Sequence, residues 1–148
     1  MSVYLDSSAL VRLYVPEPET PAVFAFVRSQ SEALIFSHLH ELELKNALRL
    51  KVFRKEVSAR TALKSIREID KDLRMEVLKR PELNWPDVFR QAEDLSRRFT
   101  SKAGYRSLDA LHVASSLLIL RKDFLTFDDR QATLARKSGL RLVHISPY

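Results

Sequence analysis

Four carboxylates are candidates for chemistry: Asp6, Glu43, Asp109 and Asp128. Asp6 ends the apolar run Val3-Tyr4-Leu5 and precedes Ser7, Ser8 and a helical pattern of Ala9, Leu10, Leu13 and Tyr14. It therefore marks the passage from a buried strand to a helix, and in doubly wound sheets ligands bind at the carboxyl ends of strands. A purely structural Asp6 would cap the helix, a task Ser7 and Ser8 can also perform. Asp109 falls near the start of SLDALHVASSLLIL, the most apolar helix-forming stretch of the chain. The helix dipole favours a carboxylate there by about 0.3–1 kcal/mol, but burial among such neighbours is costly unless a metal, hydrogen bonds or a cation compensates. Asp128 follows the strand-like FLTF, repeating the placement of Asp6, and also fits a capping box with Gln131. Asp129 competes for that role, though it would lie inside the first helical turn, directed away from the strand end. Thr126 can reach the same place through its hydroxyl. Glu43 belongs to an otherwise apolar stripe with Leu39, Ala47 and Leu50, where a carboxylate needs a partner; the alternative is an edge position paired with Arg49 or Lys51.

Two acids at strand ends and two on helices can converge at one sheet edge, and four carboxylates cannot all stay ionised there without cations. Oxygen-only ligation suits Mg²⁺ or Mn²⁺ better than Zn²⁺, since the chain has no cysteine and no paired histidines. Such ions activate water and stabilise charge in phosphodiester hydrolysis. His112, one turn after Asp109, reads as a hydrogen-bonded core histidine.

Positioning these acids requires strands alternating with helices. After the first strand and helix, Thr20-Pro21 offers an N-cap and N1 pair for a helix carrying Val23, Phe24, Phe26 and Val27. A second strand fits Ala33 to Phe36. Ser37 caps a helix running to about Arg54, and Ser58 caps another with Ala62, Ile66, Ile69 and Leu73 at 3.6-residue spacing. Met75 to Leu78 suggests a third strand, and Pro86 opens a helix with Val88, Ala92, Leu95 and Phe99 on one face. Lys102 to Arg106 reads as a loop, Ser107 as the start of the apolar helix, Asp129 to Ser138 as a helix ended by Gly139, and Leu140 to Ile145 as a last strand. The alternation implies an α/β fold, a parallel sheet with helices on both faces. At 148 residues the chain is expected to be one domain over residues 1–148.

The absence of cysteine excludes disulfides and thiolate metal sites and makes a reducing cytoplasm the natural compartment. The run ahead of Asp6 has neither a basic leader nor a small-residue cleavage site, and no stretch approaches membrane-spanning length, so no membrane association is expected. Net charge is +6, from 25 Lys and Arg against 19 Asp and Glu, which favours a polyanionic partner. Basic residues concentrate between Lys45 and Arg67, where Lys51, Arg54 and Lys55 are candidates for phosphate contact; the alternative is a solvated helical face.

At these residues the chain resembles the PIN-domain family, and within it the VapC-type toxin ribonucleases, over Val3 to Ile145. YLDSSALVRLY resembles the family's opening strand and first catalytic Asp, and ELKNAL the helix with its Glu. RSLDALHVASSL resembles its most specific box, and FLTFDDRQATLARKSGL its closing acid and helix. The resemblance implies a PIN-like three-layer α/β/α sandwich with a central parallel sheet and a Mg²⁺ or Mn²⁺ site at Asp6, Glu43, Asp109 and Asp128. It implies RNA as substrate, a homodimer and a cognate antitoxin, as in type II toxin–antitoxin pairs. Ser8 and Thr126 match hydroxyl positions beside those acids, and Arg106 matches a basic residue just before the third; the doubled Asp128-Asp129 leaves the fourth ligand open. Two rival chemistries fit less well. An aspartyl phosphotransferase nucleophile at Asp6 wants a second Asp where Ser8 stands, and isolated Gly104 and Gly139 cannot cradle a nucleotide phosphate. A catalytically inactive RNA-binding or scaffolding PIN-like module remains the alternative.

Overall fold

The computed structural model describes residues 3–145; Met1 and Ser2, which begin the run ahead of Asp6, lie outside them. All strand pairings among the described residues are parallel, and the residues gather into two compact units, one of Ala9–Arg80 with Ile145, the other of residues 3–8 with Pro81–His144.

The second unit holds a three-stranded sheet in the order β1 (Val3–Leu5), β4 (Asp123–Leu125), β5 (Arg141–Leu142). The strands at either end of the chain thus pair through β4, with Leu5 opposite Leu125. Tyr4 and Phe124, both fully buried, stack with ring centroids 5.3 Å apart. The same unit holds α5 (Trp85–Ala103), α6 (Ser107–Leu118) and α7 (Asp129–Lys137), with α6 packed between α5 and α7. Asn84 caps α5 by accepting the Asp87 N–H, and Val88, Ala92 and Leu95 form its buried face. Helix α5 runs two residues into the expected loop and stops where Gly104 adopts φ +70°, a left-handed conformation that glycine takes without Cβ strain. The loop is therefore Gly104 to Arg106. Helix α6 buries almost every side from Asp109 to Ser116, as its apolar sequence requires.

The first unit contains a separate two-stranded ladder, β2 (Leu34–Ile35) with β3 (Leu78–Lys79), and the helices α2 (Thr20–Arg28), α3 (His38–Phe53) and α4 (Ala59–Arg74). The third strand begins at Leu78, later than Met75, because α4 continues to Arg74 and the Val77 N–H still bonds the Asp72 carbonyl. Thr20 does not cap α2. Glu19 occupies that position, and the Thr20 hydroxyl donates to the Arg12 carbonyl and accepts from the Glu17 N–H. Short helix α1 (Ser7–Val11) follows Asp6 directly. No helix among the described residues is long and apolar enough to cross a membrane.

A charge cluster ties α3, α4 and the end of β3 together. Glu41 accepts from Arg80 and from Lys45 Nζ at 2.7 Å, and Lys45 also reaches Asp70 of α4 at 2.7 Å. Arg80 lies over the Phe36 ring and donates to the Phe36 carbonyl at 3.3 Å. Arg80 first, then Lys45, bring the Glu41 carboxyl from its ordinary 4.5 down to about 2. A depressed carboxyl stabilises the fold above its unfolded value and loses that contribution as pH falls through the folded one. Glu41→Gln should therefore melt below wild type at pH 7, and the difference should shrink between about pH 4.5 and 2, as thermal melts across that range will show.

Candidate active site

Asp6 is the residue directly after β1, and Thr126 the residue directly after β4, so parallel pairing of the two strands sets them side by side. The Asp6 N–H extends the ladder to the Leu125 carbonyl at 3.1 Å. The Asp6 carboxylate, only 4% exposed, accepts from two hydroxyls, Ser8 Oγ at 2.6 Å on Oδ1 and Thr126 Oγ1 on Oδ2. Each hydroxyl in turn accepts a backbone N–H, Ser8 from Phe127 at 2.9 Å and Thr126 from Asp128 at 3.0 Å. Two backbone N–H dipoles are thus relayed through two hydroxyls onto one buried carboxylate, and chained bonds of this kind strengthen one another. With both hydroxyl protons on Asp6, the 3.2 Å contact between Ser8 and Thr126 carries no proton of its own.

Asp109 and Asp128 are joined by one cation. Arg106 precedes α6, and its backbone N–H donates to Asp109 Oδ2 at 3.0 Å, closing the helix start. Its guanidinium donates to Asp128 Oδ2 at 3.0 Å and stands 3.5 Å from Asp109 Oδ2. Asp109, then Asp128, raise the Arg106 guanidinium above its ordinary value, so it stays charged. Asp128 Oδ1 meanwhile caps α7 through the Arg130 and Gln131 N–H groups at 2.9 and 3.1 Å. Strand β4 ends at Leu125, so Asp128 lies three residues beyond the strand, at the helix cap, while Asp129 is exposed in the first turn. Asp6, Thr126, Asp128, Arg106 and Asp109 form one continuous chain of bonds within the second unit. His112, one turn beyond Asp109, is buried, with Tyr4 Oη 2.7 Å from Nδ1 and Ser7 Oγ 3.3 Å from Nε2, the core histidine that the sequence suggests.

Glu43 lies in the first unit, on α3, and there the expected stripe shifts by one position. His40, Leu44 and Leu48 are buried, while Leu39, Glu43 and Ala47 form the half-buried shoulder and Leu50 is exposed. A helix whose buried row starts at the capping His40 turns Glu43 to the flank, where a carboxylate needs less compensation. Lys51 pairs with Glu56 at 3.3 Å and Glu17 at 3.9 Å; Arg54 and Lys55 are exposed at the end of α3. Sequence reasoning missed the backbone half of the Asp6 relay, for which residue types carry no signal, and the double grip of Arg106, for which its i, i+3 spacing from Asp109 was a clue.

The donor set fits a hard divalent cation. It is all oxygen, and the Ser8 and Thr126 hydroxyls fix the direction of both Asp6 carboxylate oxygens. Among the described residues no three acidic or histidine side chains converge closely enough to chelate an ion by themselves. Mg²⁺, which keeps several waters in its shell, suits such an open arrangement.

The PIN domain family matches residues 3–137, and the chain belongs to that family. In fold it is similar to the Mycobacterium tuberculosis toxin VapC20, described as cleaving the sarcin-ricin loop, with a TM-score of 0.65 and 17% identity over 89% of this chain and 94% of that one. The fold class is the PIN-like α/β class with a central parallel sheet. No curated protein matches the sequence.

If the two hydroxyls hold Asp6, Thr126→Val, nearly isosteric, should cost about 1.5–3 kcal/mol in urea unfolding with EDTA present, the range for a hydrogen bond to a charged group. A change under about 0.5 kcal/mol, the size of an ordinary surface substitution, would take that task away from Thr126.

Proposed function

We propose that the protein is a divalent-metal-dependent endoribonuclease with Asp6, Glu43, Asp109 and Asp128 as its acids, acting as the toxin of a type II toxin–antitoxin pair. The observation that carries this reading is the bonded chain from Asp6 through Thr126 and Asp128 to Arg106 and Asp109, in a member of the PIN family. Mg²⁺ or Mn²⁺ held there supplies the Lewis acidity for phosphodiester hydrolysis. Ser8 and Thr126 fix the direction of both Asp6 oxygens. Arg106 restrains Asp109 and Asp128 and gives the site a cation to set against a phosphate, and Glu43 is the fourth acid. Asp128 is preferred to the exposed Asp129 because its carboxylate is already fixed by two backbone N–H groups and Arg106.

RNA as substrate is supported by the net charge of +6 and the exposed Arg54 and Lys55. The toxin role is supported by the likeness to VapC20. With it come a cognate antitoxin, a homodimer and a cytoplasmic setting, the last in keeping with a chain free of cysteine. On this reading residues 1–148 work as a single nuclease domain.

The purified protein should cleave single-stranded RNA with Mg²⁺ or Mn²⁺ and stop in EDTA. Asp6→Asn and Asp109→Asn should each lose about a hundredfold or more, beyond the usual effect of a residue that merely supports a ligand. Asp129→Asn should stay close to wild type. Cleavage that persists in EDTA would overturn the metal mechanism. Replacing Arg54 and Lys55 together by Gln should flatten the salt dependence of RNA binding by about 1.4 units of log–log slope, at about 0.7 per single-strand phosphate. Adding Lys51→Gln should change little, because Lys51 is already paired; an unchanged slope in the double variant would remove this surface from the RNA contact.

A further inference from the structure

Beside Asp109 and Asp128, α5, α6 and the loop between them line a cavity of about 630 Å³, within the range of small-ligand pockets. Its lining combines Phe89, Glu93, Thr100, Tyr105, Arg106 and Ser107. Tyr105 is 7% exposed, yet its hydroxyl has no hydrogen-bond partner, whereas nearly all buried polar groups have one. Lys137 lies over the Tyr105 ring, 5.8 Å from its centroid, which holds the ring but leaves the hydroxyl unanswered. Phe89, in contrast, is 58% exposed at the cavity's edge, an aromatic face open to stacking. Arg106 belongs to both places: it lines the cavity and bonds Asp128 and Asp109.

We propose that this cavity is a nucleobase pocket, taking one unstacked base of the RNA next to the phosphate that Arg106 meets beside Asp109 and Asp128. The inference rests on the nuclease reading and adds to it a determinant of cleavage-site preference. Sequence-specific RNA recognition works on splayed-out bases that stack on aromatic rings and present their edges to polar groups. Here Phe89 stacks the base, the Tyr105 hydroxyl and the Glu93 carboxylate meet its edge, and Arg106 spans the short distance to the phosphate. A purely apolar occupant would leave the Tyr105 hydroxyl as unsatisfied as before, which favours a ligand with polar edges.

The test uses the full-length protein in two assays. In the first, the four nucleoside 5′-monophosphates are titrated into ¹⁵N-labelled protein with EDTA present. At least one should shift amides of residues 89–93 and 104–107, and Phe89→Ala should weaken it about tenfold, within the range for one base–aromatic stack. Tyr105→Phe, which removes the oxygen alone, should weaken it several-fold and leave the melting temperature at or above that of wild type. In the second, a randomised RNA pool is cleaved with Mn²⁺ and the ends sequenced: wild type should prefer one base at a fixed position from the cut, and both variants should flatten that preference. If RNA is cleaved but no monophosphate binds and the preference survives in both variants, the pocket is wrong while the nuclease reading stands. If a monophosphate binds as described but no RNA is cut, the nuclease reading fails and the base site remains. Loss of dimer in Phe89→Ala without loss of monophosphate binding or preference would assign the cavity to a second copy and overturn the proposal.

Discussion

A buried negative charge at the ends of two parallel strands is the constraint around which the second unit is arranged. The Asp6 carboxylate is nearly inaccessible to water, and an ionised group in that position survives only if fixed dipoles replace its hydration. The chain provides them in relay. The Phe127 and Asp128 N–H groups point into the Ser8 and Thr126 hydroxyls, which point into Asp6. For that relay to exist, β1 must lie beside β4 in parallel register, and the chain after β4 must turn so that two successive N–H groups face back toward Ser8 and Thr126. The same turn delivers Asp128 to the start of α7.

The acids differ in how their charge is met, and this separates their roles. Asp6 is answered by hydroxyls, which orient it without neutralising it. Asp109 and Asp128 share Arg106, a mostly exposed cation that a polyanion can reach. Exposure of the guanidinium keeps its ion pairs weak, while the backbone bonds to Asp109 and Asp128 keep both carboxylates in place. The arrangement thus joins rigid acids to a weakly held cation.

The first unit is held differently. Its two-stranded ladder is too short for much ladder energy, and the Glu41, Lys45, Asp70 and Arg80 cluster links α3, α4 and the end of β3 at the surface. Glu43 stands on the half-buried shoulder of α3, two residues from this cluster but one turn-face away from Glu41.

The sequence by itself determined the alternation of strands and helices, the placing of Asp6 at a strand end and of Asp109 at the start of an apolar helix, and the caps at Ser37 and Ser58. All of these follow from local chemistry: periodic burial, side-chain oxygens facing free N–H groups, and the cost of a charge among apolar neighbours. Local chemistry also misled at definite points. Thr20 looked like a cap, but its hydroxyl is taken by the Arg12 carbonyl, and Leu39-Glu43-Ala47-Leu50 looked like the core stripe, but His40 at the helix start turned the buried row by one residue. Only the tertiary structure decided that β1 pairs with β4, that Arg106 bridges Asp109 and Asp128, and that the Tyr105 hydroxyl is buried without a partner. Strand partners and long-range hydrogen bonds join residues up to 120 positions apart, and no periodicity within a segment records which distant segment will satisfy it.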